Sequence, residues 1–277
     1  PLKPTTESEG DHFLPRTPVD EVYNQILWDL ELALGNIGNE QTHLATRNAA
    51  KALLSLVHLT MGSYNLALSY STEVLDSSSY LEEDFSDLFS NSTDPSREIL
   101  FYVPFNVNDK NRLAEYHLPY PMGGRYENSP TQGMVASIEE TDQRYPFVAS
   151  EYKDKYYTNK YSDLTTGTDK VIVFRTSELF FIKAEAEYFI DSIGNYQSIM
   201  DGINIIRNRS GLSSINTAPG DALWELIERE RQIEFAFEGK RWFDLIRTNR
   251  ALVMVPTVNS KDQMLFPIPL SEILSNP

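Results

Sequence analysis

The chain has 277 residues, 41% of them hydrophobic, enough to bury the core of one large domain or of two intimately packed ones. Forty acidic against 24 basic side chains give a formal charge of −16, which repels phosphate backbones and anionic bilayers, so nucleic acid is not expected as a partner and uncharged ligands stay open. Cysteine is absent, which removes disulfides, thiolate catalysis and zinc–thiolate sites.

Residues 1–17, polar and rich in proline, read as a connecting arm. Next, "TPVDEVYNQILWDLELALGNI" sets Val22, Ile26, Leu30 and Ala33 at helical spacing behind a Thr-Pro start and early acids. Trp28 fits this helix as a packed or as a half-exposed ring, and packing is the commoner fate. The run "TRNAAKALLSLVHLTMGSYNLALSYSTEVLDS" predicts two helices broken at Gly62-Ser63, with Gly62, Tyr64 and Ala67 resembling the centre of a tetratricopeptide repeat, where small residues let paired helices approach. Similar grammar returns in "RTSELFFIKAEAEYFIDSIGNYQSIMDGINIIRNRSG", with Ala184 and Ala186 in one helix, a break at Gly194-Asn195-Tyr196 and a second helix ending before Gly211. A third helical unit covers residues 219–249. The expected class is therefore mostly α: one domain over residues 1–277, with helical repeats at about 18–90 and 171–249.

Between the repeats, residues 91–170 have another character, with Gly123-Gly124, several prolines and short apolar pieces such as "EILFYVPF". Nine of the 15 tyrosines fall between residues 102 and 161, so aromatic load concentrates where helical periodicity is weakest. Loops dense in aromatics suit ligand binding. The candidate site is "NRLAEYHLPYPMGGRYENSP", residues 111–130, where Tyr116, His117, Tyr120 and Tyr126 surround Gly123-Gly124. There, flat rings flank a backbone expected to bend freely and approach a ligand, with Asn111, Arg112, Arg125 and Asn128 as hydroxyl-binding rim. Ordinary loop packing is the competing reading for each tyrosine.

The stretch "ERERQIEFAFEGKRWFDLIR", residues 228–247, meets no turn residue before Gly239. As a helix it places Glu230, Glu234 and Glu238 on one stripe, tolerable only if cations approach. Arg231, Arg241 and Arg247 are local suppliers, and Arg175, Arg207 and Arg209 more distant ones. Carboxylates on adjacent turns sit roughly 6 Å apart, near the separation of a glycosidase pair. Neighbours on one helix point the same way, however, and cannot easily flank a bond. The stretch therefore reads as an ion-pair lattice locking helices together, with Ile227, Ile233, Phe237, Trp242 and Leu245 packed around it. The histidines His12, His43, His58 and His117 stand at no helical ligand spacing, so no metal site and no cofactor are expected. His58 reads as a packed helix residue.

Six segments in order, "LPRTPVDEVYNQILWDLELA", "RNAAKALLSLVHLTMGSYNLALSYSTEVL", "VFRTSELFFIKAEAEY", "INIIRNRSGL", "ERERQIEFAFEGKRWFDLIR" and "LFPIPLSEILSNP", together resemble the SusD/RagB family over almost the whole chain. Members are surface nutrient-binding lipoproteins of Bacteroidetes, mostly serving glycan uptake. The resemblance implies a SusD-like α-α superhelix of tetratricopeptide-like hairpins supporting an irregular ligand-binding insertion. It also implies that Glu230, Arg231, Glu234, Glu238, Gly239, Arg241, Trp242, Asp244, Leu245 and Arg247 mark the fold and not catalysis. Members usually carry a lipidated N-terminal cysteine and a long portion ahead of the Leu14-Pro15-Arg16 region, so this chain is expected to be a C-terminal part or a short member.

On that resemblance the expected function is noncatalytic oligosaccharide binding at the outer-membrane surface, delivering nutrient to a SusC-like TonB-dependent transporter. Two other classes are weighed against it: a helical-repeat scaffold binding only protein, and a glycoside hydrolase. No Ser/His/Asp order, phosphate loop or metal cluster supports an enzyme.

Overall fold

A computed structural model of the chain describes residues 16–38, 43–90 and 95–275. The proline-rich arm, apart from Arg16 and Thr17, lies outside the described residues, as do His12, Leu14, Pro15 and residues 91–94. Along the chain come helices α1 (Val19–Asn36), α2 (Arg47–Thr60) and α3 (Tyr64–Ser77), then strand β1 (Ile99–Val103). Short helices α4 (Leu113–His117), α5 (Gln132–Ser137) and α6 (Tyr145–Val148) precede the hairpin β2 (Ser150–Tyr152) and β3 (Lys155–Tyr157). Strand β4 (Val171–Arg175) leads into α7 (Thr176–Asp191), α8 (Tyr196–Arg209), α9 (Asp221–Glu234), α10 (Arg241–Arg247), α11 (Ala251–Met254) and α12 (Leu270–Ser275). The chain falls into two compact units, Asn36–Lys240 and the paired segments Pro1–Gly35 and Arg241–Pro277.

In the larger unit, the alanine- and leucine-rich sequence of α2 favours helix. Thr46 caps it by accepting a hydrogen bond from the Ala49 N–H at 3.1 Å. Gly62, at φ +75°, ends it in a conformation a side chain would resist, and α3 returns against α2. Helix α3 packs on α7, and α7 packs on α8 and α9. The facing positions Ala52, Ala67, Ala184 and Ala186 are all buried, so small side chains bring the helices close at the seams. Between α7 and α8 the turn is held by Asp191, whose Oδ1 accepts from the N–H groups of Ile193 and Gly194. Tyr64, just after the first turn, stacks on Phe189 near the second, ring centroids 4.7 Å apart. The result is the mostly α, tetratricopeptide-like array expected, with Leu179, Phe181, Ile199, Ile203 and Leu226 among its sealed core.

The segment between the hairpins is irregular but anchored. "ILFYV", whose alternation alone predicts only a short apolar piece, forms β1 and pairs antiparallel with β4, Ile99 opposite Arg175 and Val103 opposite Val171. The Thr176 N–H extends the ladder to the Glu98 carbonyl at 2.8 Å. This two-stranded sheet ties the insertion to the first turn of α7.

The smaller unit contains α1 and the C-terminal helices. Trp28 is 60% exposed, against the expectation of packing, and no residue of α1 is buried. Helical periodicity says which face of α1 is apolar, not whether that face is covered. Leu245, Ala251, Val258 and Met264 form a local core, with Trp242, Ile246 and Val255 against it. Among the described residues no helix is long and apolar enough to cross a membrane.

Candidate functional site

Two places compete as a site: the carboxylate stripe and the tyrosine-bearing loop. The stripe is not one continuous helix. Helix α9 ends at Glu234, and Phe237 (φ +64°) and Gly239 (φ +76°) turn the chain before α10. The break has a tertiary cause, because Arg175 Nη2 and Lys160 Nζ donate to the Glu234 carbonyl at 2.8 and 2.9 Å. Cations here take up the carbonyl that a further turn of helix would have used. Glu238 therefore reaches the cluster from the turn and not from the helix face.

Around these carboxylates the ion pairs are dense and, apart from half-exposed Glu139, buried. Arg144 contacts Asp142 (2.7 Å), Glu230 (2.8 Å) and Glu234 (3.2 Å). Arg175 contacts Glu98 (3.0 Å), Glu234 and Glu238 (3.0 Å). Arg209 adds Glu98 and Glu234, Arg207 adds Glu230 and Glu139, and Lys160 adds Glu238 at 2.6 Å. The β1–β4 register explains Glu98, which stands one step beyond the Ile99–Arg175 pair. Arg231 turns instead to Glu178 (3.0 Å), and Arg247 pairs with Asp244 (2.7 Å) in the smaller unit. Burial opposes ionisation of Glu234, but Arg209, Arg175 and Arg144 outweigh it and hold the carboxyl well below its usual range. Glu238 is likewise held low by Arg175 and Lys160 against burial. Carboxylates with 0–1% side-chain exposure and every side occupied by cations cannot flank a substrate bond. The lattice is structural, and Arg144 and Lys160, unsuspected in the sequence, are central to it.

The loop after α4 has a different construction. Its chain folds back on itself: the N–H of Arg125 donates to the Glu115 carbonyl (2.6 Å), that of Glu127 to Tyr116 (2.8 Å), and that of Tyr126 to Leu118 (3.1 Å). Gly123 sits at φ +94°, and a Cβ on Gly124 would lie 2.0 Å from the Leu118 carbonyl oxygen. The glycine pair thus lets the chain pack on itself. The expected free bending toward a ligand is corrected by this close internal contact.

The four candidate side chains separate into three situations. Tyr120 is 67% exposed, on a 3-10 turn running to Met122. Half-buried Tyr116 has the guanidinium groups of Arg112 and Arg125 over its ring, at 5.5 and 5.4 Å. Those arginines are themselves neutralised, Arg112 by a bidentate bond to Glu115 at 2.6 Å and Arg125 by Glu127. The Arg112 hydrogen bond holds the Glu115 carboxyl below its usual range. Tyr126, at φ +50°, donates its hydroxyl to the Tyr156 carbonyl (2.9 Å) under the Lys155 ammonium (4.8 Å).

His117 turns inward and does not share this surface. Its Nδ1 donates to the Leu113 carbonyl at 2.7 Å, and its ring packs on Tyr161 and Phe237. Burial pushes its imidazole below its usual value, leaving it neutral near pH 7. Asn111 is also committed to structure, donating to the Asp169 carbonyl and accepting from the Leu113 N–H. Sequence reasoning missed the support of Lys155 and Tyr156 from β3, for which the only signal was the tyrosine-rich run "KDKYYTNKY". Among the described residues no three His, Asp or Glu side chains are grouped to hold a metal ion.

Comparison with known proteins fits this architecture. A model of the SusD family matches residues 91–255. A SusD-like protein P38 from Formosa agariphila is 22% identical over 336 aligned positions, covering 96% of this chain and 65% of its own length. The chain thus spans just under two thirds of that relative. A SusD superfamily protein from Bacteroides vulgatus shares the fold with a TM-score of 0.87 at 22% identity, covering all of this chain and 71% of the other. The surface glycan-binding protein A of Bacteroides thetaiotaomicron, solved in complex with laminarihexaose, gives a TM-score of 0.75 at 21% identity over 92% of this chain and 69% of its own.

Proposed function

The chain belongs to the SusD family, and on that premise we propose that it is a noncatalytic carbohydrate-binding protein of the outer-membrane surface, passing oligosaccharides to a SusC-like TonB-dependent transporter. The observation that carries the reading is Tyr120, an exposed ring held on a loop whose backbone is bonded to itself. A sugar's C–H face stacks on such a ring at little ordering cost, because the loop is already fixed. Over the Tyr116 ring of the same loop, Arg112 and Arg125 are neutralised by Glu115 and Glu127, which suits a ligand with hydroxyls and no charge. Tyr116 and Tyr126 complete the loop, and His117 positions it from inside. The laminarihexaose complex of a fold relative supports the ligand class. The sealing of the Glu230 and Glu234 carboxylates supports a role without catalysis.

Calorimetric titration with neutral hexasaccharides, beginning with laminarihexaose, tests the reading. Tyr120→Ala is expected to weaken binding by about 0.5–1.5 kcal/mol, with little dependence on salt for an uncharged ligand. The saccharide is expected back intact. Unchanged affinity in a folded Tyr120→Ala variant moves the site elsewhere, and hydrolysis overturns the noncatalytic assignment. Delivery is tested by gentle detergent extraction of outer membranes, where a β-barrel partner should copurify. Its consistent absence counts against the transporter role.

A further inference from the structure

We propose that a groove along α8, remote in sequence from the tyrosine loop, is a second site for neutral glycans. It has a volume of about 460 Å³, within the roughly 300–1,000 Å³ typical of small-ligand pockets. One wall is the α8 face carrying Gln197, Asp201, Asn204 and Asn208, spaced by three and four residues. The other is the loop bearing Ser214 and Asn216, while exposed Ile205 and half-buried Ile215 supply apolar surface and buried Met200 also lines the groove. Amide and hydroxyl groups over apolar carbons match the two chemistries of a pyranose, its hydroxyl edge and its C–H face.

The groove is built before any ligand arrives. Asn204 clamps the loop through both ends of its amide, donating to the Ile215 carbonyl (3.0 Å) and accepting from the Ile215 N–H (2.8 Å). Arg207 holds the Ser213 carbonyl at 3.1 and 3.2 Å while its other face joins the buried lattice at Glu230. The Tyr196 hydroxyl accepts from the Ala218 N–H at 2.7 Å. Three fastenings from one helix leave little loop entropy to lose on binding.

Its free polar atoms suit hydroxyls. The Asn208 carbonyl accepts from Ser214 (3.1 Å), and the Gln197 amide donates to Asp201 (2.7 Å). That leaves the Asn208 N–H groups and the Gln197 carbonyl, on residues that line the groove, as one donor and one acceptor set. Among the described residues lining the groove none is cationic, and Asp201 adds negative charge, so acidic sugars are disfavoured. The choice of ligand rests on the carbohydrate-binding reading; the groove's geometry does not.

The test follows side-chain NH2 resonances of the labelled full chain during titration with laminarihexaose, cellohexaose, maltohexaose, mannohexaose and, as the anionic control, oligogalacturonate. At least one neutral hexaose is expected to shift Asn208 and Asn216, in the parent protein and equally in Tyr120→Ala. Asn208→Ala and Asn216→Ala should each weaken that phase about two- to tenfold, the worth of one hydrogen bond, and oligogalacturonate should shift neither amide. Shifts confined to residues 115–128, or groove shifts that vanish with Tyr120→Ala, overturn the second site while leaving the family reading intact. Equal response to oligogalacturonate overturns the neutral specificity. Absence of any response to every neutral hexaose removes both proposals together.

Discussion

Arg144 and Glu234 stand 90 residues apart in sequence and meet at 3.2 Å with neither side chain exposed to solvent. Arg175 and Arg209 close on the same carboxylate from β4 and α8, so one glutamate joins the insertion, the sheet and two helices. Its removal leaves three buried guanidinium groups short of a counter-charge. Glu234→Gln keeps the volume and is expected to cost about 3–5 kcal/mol, as for other broken buried pairs. Urea unfolding checks this, and a midpoint equal to the parent's would show that the lattice does not hold the helices.

The same cluster sets a pH dependence whose sign is fixed. Glu234 and Glu238 titrate below their unfolded value of 4.5 in the folded protein. Between the two values the unfolded chain holds protons the folded one lacks, so stability is present above 4.5 and lost as pH falls through that window. Lys160 behaves alike at the other end: burial pushes its ammonium from 10.5 down to about 8, against the attraction of Glu238. From about 8 to 10.5 the unfolded chain again holds the extra proton, and stability rises with pH. A series of urea midpoints should show two rising limbs, with Lys160→Met erasing the alkaline one and shrinking the Glu238 share of the acid one, while the Glu234 share, held by Arg209, Arg175 and Arg144, remains.

Two glycines should respond to alanine with opposite signs. At Gly124 the new Cβ would lie 2.0 Å from the Leu118 carbonyl oxygen, a backbone atom that cannot step aside. A loss of about 1–3 kcal/mol is expected from such overpacking. Gly202 lies inside α8 with nothing within 4 Å of its would-be Cβ, and Gly202→Ala should gain about 0.5–1 kcal/mol from helix propensity. Thermal melts of the two variants distinguish a loop that needs its glycine from a helix that does not.

Periodicity and turn chemistry made the hairpins legible: Gly62 and Gly194 sit at their breaks, and Ala67 and Ala184 line the seams. The buried fate of Glu230 and Glu234 was legible too, because like charges on one stripe demand cations. Which cations was not, since Arg144 and Lys160 arrive from 74 to 90 residues away and carry no local signal. Local pattern also misjudged the end of α9, where tertiary cations capping a carbonyl override residues that would continue a helix. In the loop, residue type marked Tyr120 as a candidate, and the structure shows its ring exposed; it marked the glycines as a turn but not the close approach to Leu118 that requires Gly124. It could not tell that His117 faces the interior, because α4 is too short for a periodic face.

Tyr126 allows positioning to be separated from contact. Its hydroxyl is bound to the Tyr156 carbonyl at 2.9 Å, linking the returning limb of the loop to β3. Tyr126→Phe keeps the ring under Lys155 and removes only that bond, at a cost of about 0.5–1.5 kcal/mol in local order. If Tyr126 acts by holding the loop, the variant should raise hydrogen exchange at the N–H groups of Arg125, Tyr126 and Glu127, which close the loop onto Glu115, Leu118 and Tyr116. Glycan affinity should fall in parallel. Tyr120→Ala should do the reverse, lowering affinity without changing exchange, since the exposed Tyr120 ring takes no part in those backbone bonds. Loss of affinity in Tyr126→Phe with exchange unchanged would make the hydroxyl a direct ligand contact instead of a strut.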